Sequence, residues 1–205
     1  MKLNNQLHAE AVKRGLLDEK AAIDEATAFY LVRDMPYIRA SSREPATIIR
    51  EWRGTCSGKH YLLKALYAEM GISSRLIACT SVTEIAPESL DPLLRPIMER
   101  GNGRFVDVHN YLILELPEGD TVVDATWPVG AKESGLVVNE VFIPGQDQAL
   151  ACTPLQTWVV PDDQDPQDFK DYLLTAYFSP EELAVRDEIE QALGQMITQK
   201  NESIE

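Results

Sequence analysis

The chemistry in this chain starts at a cysteine. Cys56 opens the run Cys56-Ser57-Gly58-Lys59-His60-Tyr61-Leu62-Leu63, directly after Trp52-Arg53-Gly54-Thr55. A helix is expected from the cysteine to about Met70, with Gly71 as its stop. Leu62, Leu66 and Met70 fall at i, i+4 and i+8, with Leu63 and Tyr67 beside them, which makes one apolar stripe. Cys56 therefore sits at a helix N-terminus, where unpaired N–H groups and the macrodipole favour negative charge. A thiol placed there ionises more readily, and the thiolate is the nucleophile. Such a cysteine needs a base and an acid to orient the base.

Two downstream residues suit those roles. His109 lies in Arg104–Leu116, the clearest strand of the chain, and Asp124 in a strand expected over Thr121–Trp127. The turn between them is Pro117-Glu118-Gly119-Asp120. If Pro117-Glu118 is the two-residue loop, Asp124 faces Tyr111 and His109 faces Thr126. His109 and Asp124 are then diagonal neighbours, about 7–8 Å apart at Cα, which an Asp–His hydrogen bond can span. If Glu118-Gly119 is the loop, the two cannot meet without a bulge. The first register is the expectation. His60 is the rival base, one turn along the helix from Cys56. His109 is preferred because no carboxylate is spaced better to orient His60. The backbone N–H of Cys56 is the expected oxyanion donor, with Tyr37 as a further candidate that is equally a packing residue.

The elements that must position these groups read in order. Residues 3–14 form a short helix ending at Gly15. Asp18 caps a second helix through Arg33, and Pro36 follows it. A third short helix runs from Pro45 to Trp52. Leu76–Val82 is a first strand, and residues 84–103 form a loop with one short helix. Val137–Ile143 and Leu155–Val160 are further strand candidates. The segment from Pro161 to Pro166 is a surface linker, and the acidic stretch 162–171 a solvated surface. Ser179-Pro180-Glu181-Glu182 is a capping box with proline at the first helical position, so a helix to about Lys200 is expected. Helices, then strands, then a C-terminal helix read as α+β with an antiparallel sheet. The expected organisation is one catalytic domain over residues 1–160, with 161–205 an acidic linker and C-terminal helix packed on the same domain.

Composition narrows the function. Nineteen Lys and Arg against 33 Asp and Glu give a net charge of −14. That charge argues against nucleic acid and anionic membrane as partners. The first residues lack the apolar core of a signal peptide, and no apolar run is long enough to span a membrane. A cytoplasmic location is expected. Three cysteines, Cys56, Cys79 and Cys152, with no Cys-x-x-Cys pair speak against a disulfide framework and a cysteine-based zinc site. Cys79 and Cys152, in apolar surroundings, read as structural. Cys56 taken alone would read as a buried small hydrophobe; its helix-start position and its two partners give it the nucleophile's role.

Gly54-Thr55-Cys56-Ser57-Gly58-Lys59-His60, then His109-Asn110-Tyr111, then Val123-Asp124-Ala125-Thr126-Trp127 resemble the core motifs of the transglutaminase-like superfamily. Val32-Arg33-Asp34-Met35-Pro36-Tyr37 is similar to the segment that precedes the cysteine there. The resemblance covers about residues 20–128. It implies a papain-like fold with the cysteine helix packed on an antiparallel sheet, a nucleophile at Cys56, a base at His109 and an orienting acid at Asp124. One departure is Asn110-Tyr111, where many members carry a bulky residue after His-Ala. Arylamine N-acetyltransferases use the same three residue types in the same order, but Arg53-Gly54-Thr55 half matches their Arg-Gly-Gly. The expected activity is a cysteine acyl-transfer reaction on a protein or peptide amide through a Cys56 thioester, with no metal or organic cofactor. Water as acceptor makes a protease or deamidase, an amine a cross-linker. The alternatives are an arylamine-acetyltransferase-like enzyme and an inactive binding module of the same fold.

Overall fold

A computed structural model describes residues 1–86 and 90–202 of the chain. Residues 87–89 of the expected loop 84–103 lie outside the described residues. The described elements, in order, are the helices α1 (Leu3–Lys13), α2 (Glu25–Arg33), α3 (Pro45–Glu51) and α4 (Cys56–Glu69), strand β1 (Ser74–Glu84), helix α5 (Arg95–Arg100), strands β2 (Arg104–Leu116) and β3 (Gly119–Val123), a 3-10 turn at Val129–Ser134, strand β4 (Pro154–Val159), and helices α6 (Pro166–Tyr177) and α7 (Pro180–Glu202). The class is α+β. The four strands form one antiparallel sheet in the order β3-β2-β1-β4.

Two compact units divide the chain. One holds Met1–Leu76 and Tyr111–Ala151; the other holds Ile77–Asn110 and the chain from Cys152 onward.

In the first unit, α1, α2 and α3 pack around α4. Leu62, Leu63, Leu66 and Tyr67 of α4 are fully buried, as the apolar stripe requires. The close approach of α3 to α4 explains Gly58, because a Cβ there would stand 2.8 Å from the Ile48 Cδ1. The glycines flanking Cys56 therefore let two helices meet. Helix α2 starts later than expected. Asp24, not Asp18, is the cap, and its carboxylate accepts from the Thr27 N–H at 2.8 Å. Asp18 instead closes a local turn onto the Lys20 N–H. Both are cap-competent residues, and periodicity alone does not choose between them.

The β2–β3 hairpin has the expected register. Leu116 pairs with Gly119 and Leu112 with Val123, so Pro117-Glu118 is the loop. Strand β3 stops at Val123 and not at Trp127. Val137–Ile143 is not a strand either. It is a strap, pinned where the Arg33 guanidinium donates to the backbone oxygens of Asn139 and Glu140 at 3.0 and 2.8 Å.

In the second unit, β1 pairs with β4 in a register from Ile77↔Val159 to Ser81↔Pro154, with an irregularity between Thr80 and Ser81. The expected solvated linker contains a helix, α6. Asp165 caps it through the Gln167 and Asp168 N–H groups, and Pro166 takes its first position. Its acidic outer face hid Lys170, Leu173 and Leu174, which are buried. The Ser179 capping box of α7 is formed in both directions, Glu182 N–H to Ser179 Oγ at 3.2 Å and Ser179 N–H to Glu182 Oε2 at 2.9 Å.

A buried ionic cluster ties both C-terminal helices to β2. Arg186 Nε donates to Asp107 Oδ1 at 2.7 Å, Lys170 Nζ lies 3.6 Å from the same oxygen, and Glu190 lies 3.7 Å from the Arg186 guanidinium. Burial alone would raise the Asp107 carboxyl; Arg186, Lys170 and His109 outweigh it and hold the group below its ordinary value. Breaking a buried pair leaves an uncompensated charge, so Arg186→Met should cost about 3–5 kcal/mol in urea unfolding. Asp107→Asn in that background should recover part of the loss.

Candidate functional site

Cys56 is the first residue of α4, and Thr55 precedes it in extended conformation without a side-chain cap bond. The helix start thus presents its first N–H groups beside the sulfur. The sulfur is 3.8 Å from Ser57 Oγ. The residue is 1% exposed. Two open clefts, of about 560 and 480 Å³, lie elsewhere: one at Ile85, Asn102 and Arg104, the other at Ile23, Met70 and Pro117. Cys56 lines neither.

The segment after β3 is built around Asp124. Its carboxylate is buried and held by two backbone donors, Thr126 N–H to Oδ1 at 3.0 Å and Ala151 N–H to Oδ2 at 2.8 Å. Its own N–H donates to Gln148 Oε1 at 2.8 Å, and its carbonyl accepts from Asn139 Nδ2 at 2.9 Å. These side chains replace the strand ladder, which is why β3 ends where it does.

His60 also reaches this segment. Its Nδ1 lies 2.7 Å from the Cys56 carbonyl oxygen, and its Nε2 lies 2.9 Å from the Ala125 nitrogen. A carbonyl only accepts and a backbone N–H only donates. Nδ1 therefore carries the proton, Nε2 is the acceptor, and the ring is neutral. Asp124 Oδ1 is 3.7 Å from Nε2. The sequence reading found no carboxylate suited to His60; the fold brings Asp124 to it. That nitrogen's lone pair is taken by Ala125, however, so the contact is no ion pair, and His60 as it stands is not a free base.

Lys59 escaped the sequence reading. Its side chain is fully buried. Nζ donates to the Arg33 oxygen at 2.8 Å and the Thr126 oxygen at 3.0 Å. Burial pushes its ammonium down to about 7, with Arg33 adding to the fall and Asp34, Asp124 and Cys56 opposing it. A signal was present: Lys59, Leu62, Leu63 and Leu66 fall at i, i+3, i+4 and i+7, so Lys59 occupies a core position of the stripe.

Three of the segments singled out in the sequence thus meet in the first unit. Lys59 joins Arg33 to Thr126, Gly54 N–H donates to the Pro36 oxygen at 3.1 Å, and the Tyr37 and Trp127 rings pack with centroids 4.3 Å apart. Tyr37 is buried. His109 belongs to the second unit, where it is buried on the face of β2 that also carries Asp107. Cys79 and Cys152, in that same unit, are not joined by a disulfide, and their sulfurs lie 3.8 Å apart. Among the described residues, no group of three or more His, Cys, Asp or Glu is arranged to hold a metal ion, and no helix is long and apolar enough to cross a membrane. The chain matches no family model, no curated protein and no solved structure.

The Lys59 amine gives a pH-dependent prediction. Between about 7 and 10.5 the unfolded chain holds a proton that the folded chain has shed. Stability rises with pH where the unfolded state binds more protons. Wild type should therefore gain stability relative to Lys59→Met as pH rises through this window, measured by urea unfolding at both ends.

Proposed function

We propose that the chain is a transglutaminase-like cysteine acyl-transfer enzyme on a papain-like core, acting on protein or peptide amides. The observation that carries this reading is the pairing of a cysteine at an uncapped helix start with a buried carboxylate, Asp124, held beside the same helix. An ionised carboxylate is costly to bury unless it is bonded, and fixing one here serves an orienting role well.

In the proposed reaction the Cys56 thiolate attacks the amide carbonyl carbon. The new S–C bond forms as the backbone N–H of Cys56 and one further donor take the negative charge on oxygen. His109 gives its proton to the nitrogen as the C–N bond breaks, and the amine leaves. Water or a second amine then attacks the thioester, loses its proton to His109, and releases the Cys56 thiolate. Asp124 fixes the tautomer of the imidazole and supports its positive form. His109 is retained as the proposed base on its place in the sequence motif; both nitrogens of His60 are engaged with backbone groups. The β2–β3 hairpin has the Pro117-Glu118 loop on which the sequence expectation was built.

One observation favours a second reading. At 1% exposure, Cys56 offers little sulfur to a substrate, as in a binding module that keeps the fold without the chemistry.

Iodoacetamide labelling across pH, read site by site by mass spectrometry, separates the two. The enzyme reading expects Cys56 to label at pH 6 at least about tenfold faster than the half-buried Cys152, with His109→Ala abolishing the difference. A Cys56 no faster than Cys152 at any pH would support the binding module.

A further inference from the structure

Lys59 and His60 are consecutive residues of α4, three and four positions after Cys56. They grip consecutive residues of the segment after β3. His60 Nε2 accepts from the Ala125 N–H, and Lys59 Nζ donates to the Thr126 oxygen. Between those two holds, the Thr126 N–H is turned onto Asp124 Oδ1. The imidazole makes two further contacts. Nδ1–H ties back to the Cys56 carbonyl, and Nε2 sits 3.7 Å from the carboxylate. Lys59 extends the same lock to the end of α2 through the Arg33 oxygen.

We propose that Lys59 and His60 are positioning residues for the acyl-transfer site: a two-point clamp from α4 that sets where the Asp124 carboxylate stands relative to Cys56. This rests on the reading of Cys56 and Asp124 as nucleophile and orienting acid. Neither clamp residue touches the reacting atoms in this scheme.

The chemistry of each residue fits a clamp. His60 needs the neutral Nδ1–H form, since a proton on Nε2 would expel the Ala125 N–H. Lys59 can hold both of its carbonyls as a neutral amine, which has two N–H groups, or as an ammonium, which has three. The charged groups around Lys59 are Arg33 and Asp34 at the end of α2, Asp124 after β3, and Cys56 on its own helix. The grip therefore survives titration of Lys59, while the local charge changes.

The test compares variants by the pH profile of Cys56 alkylation. His60→Leu and Lys59→Met should each lower labelling at pH 6 by at least about tenfold, as a displaced general-base apparatus would. His60→Gln, which keeps an acceptor for the Ala125 N–H, should stay within about twofold of wild type and so behave unlike removal of a base. The proposal is overturned if His60→Leu folds with a wild-type profile, or if His60→Gln falls as far as His60→Leu. If the Leu and Met variants do not fold, ¹⁵N spectra of wild-type His60 decide. A neutral ring with the proton on Nδ1 from pH 5 to 8 supports the clamp, and titration in that range removes it. A flat wild-type profile, with Cys56 no faster than Cys152, instead defeats the acyl-transfer reading itself, and the clamp as a positioning device with it.

Discussion

The arrangement of the first unit depends on how three backbone units are satisfied after β3 ends. Residues 124–126 leave the sheet, so their N–H and carbonyl groups lose the ladder. Buried peptide groups must find partners, since an orphan costs about 1–3 kcal/mol. Here the partners are side chains: Asn139 from the strap, Gln148 from the chain beyond it, His60 and Lys59 from α4, and the Asp124 carboxylate itself. The partners come from α4, from the chain after β3 and from the segment itself. The segment is therefore a junction, and its geometry is set by several elements at once.

That junction explains why a lysine is tolerated in a core position. An unpartnered ammonium would not be buried among Leu62, Leu63 and Leu66. Lys59 is held by two carbonyls, one at the C-terminal end of α2 and one at the junction. The end of a helix carries unpaired carbonyls and partial negative charge, which suits a cation. Arg33, at the same end, spends its guanidinium on Asp34 and on the strap. The two basic residues divide the surrounding acceptors between them.

Much of this was legible in the sequence, and the reasons differ by element. The start of α4 at Cys56 followed from an apolar stripe and a glycine stop. The turn left two hairpin registers open, and the one chosen so that His109 and Asp124 could meet is the one observed. The capping box of α7 followed from four residues with a known geometry. What failed had a common cause. The end of β3 and the irregular strap at 137–143 are decided by side chains distant in sequence, which periodicity does not see; Asp18 and Asp24 are both cap-competent, and periodicity does not choose between them. Helix α6 was hidden by its acidic outer face, although Asp165-Pro166 is a fair helix start. Lys59 and His60 were visible as polar residues in core positions, but their partners were not. The carboxylate assigned to His109 by spacing lies 3.7 Å from His60.

The grip on residues 125 and 126 is made entirely through main-chain atoms. Main-chain atoms are common to nearly all amino acids, so the segment being held places almost no demand on its own side chains at these two positions beyond size. The holders are different, because only particular donors and acceptors reach. Variation should thus be lopsided: Ala125 and Thr126 can exchange for residues of similar bulk, while Lys59 and His60 cannot. Among divergent copies of this fold, the helix would keep its lettering while the segment it holds drifts.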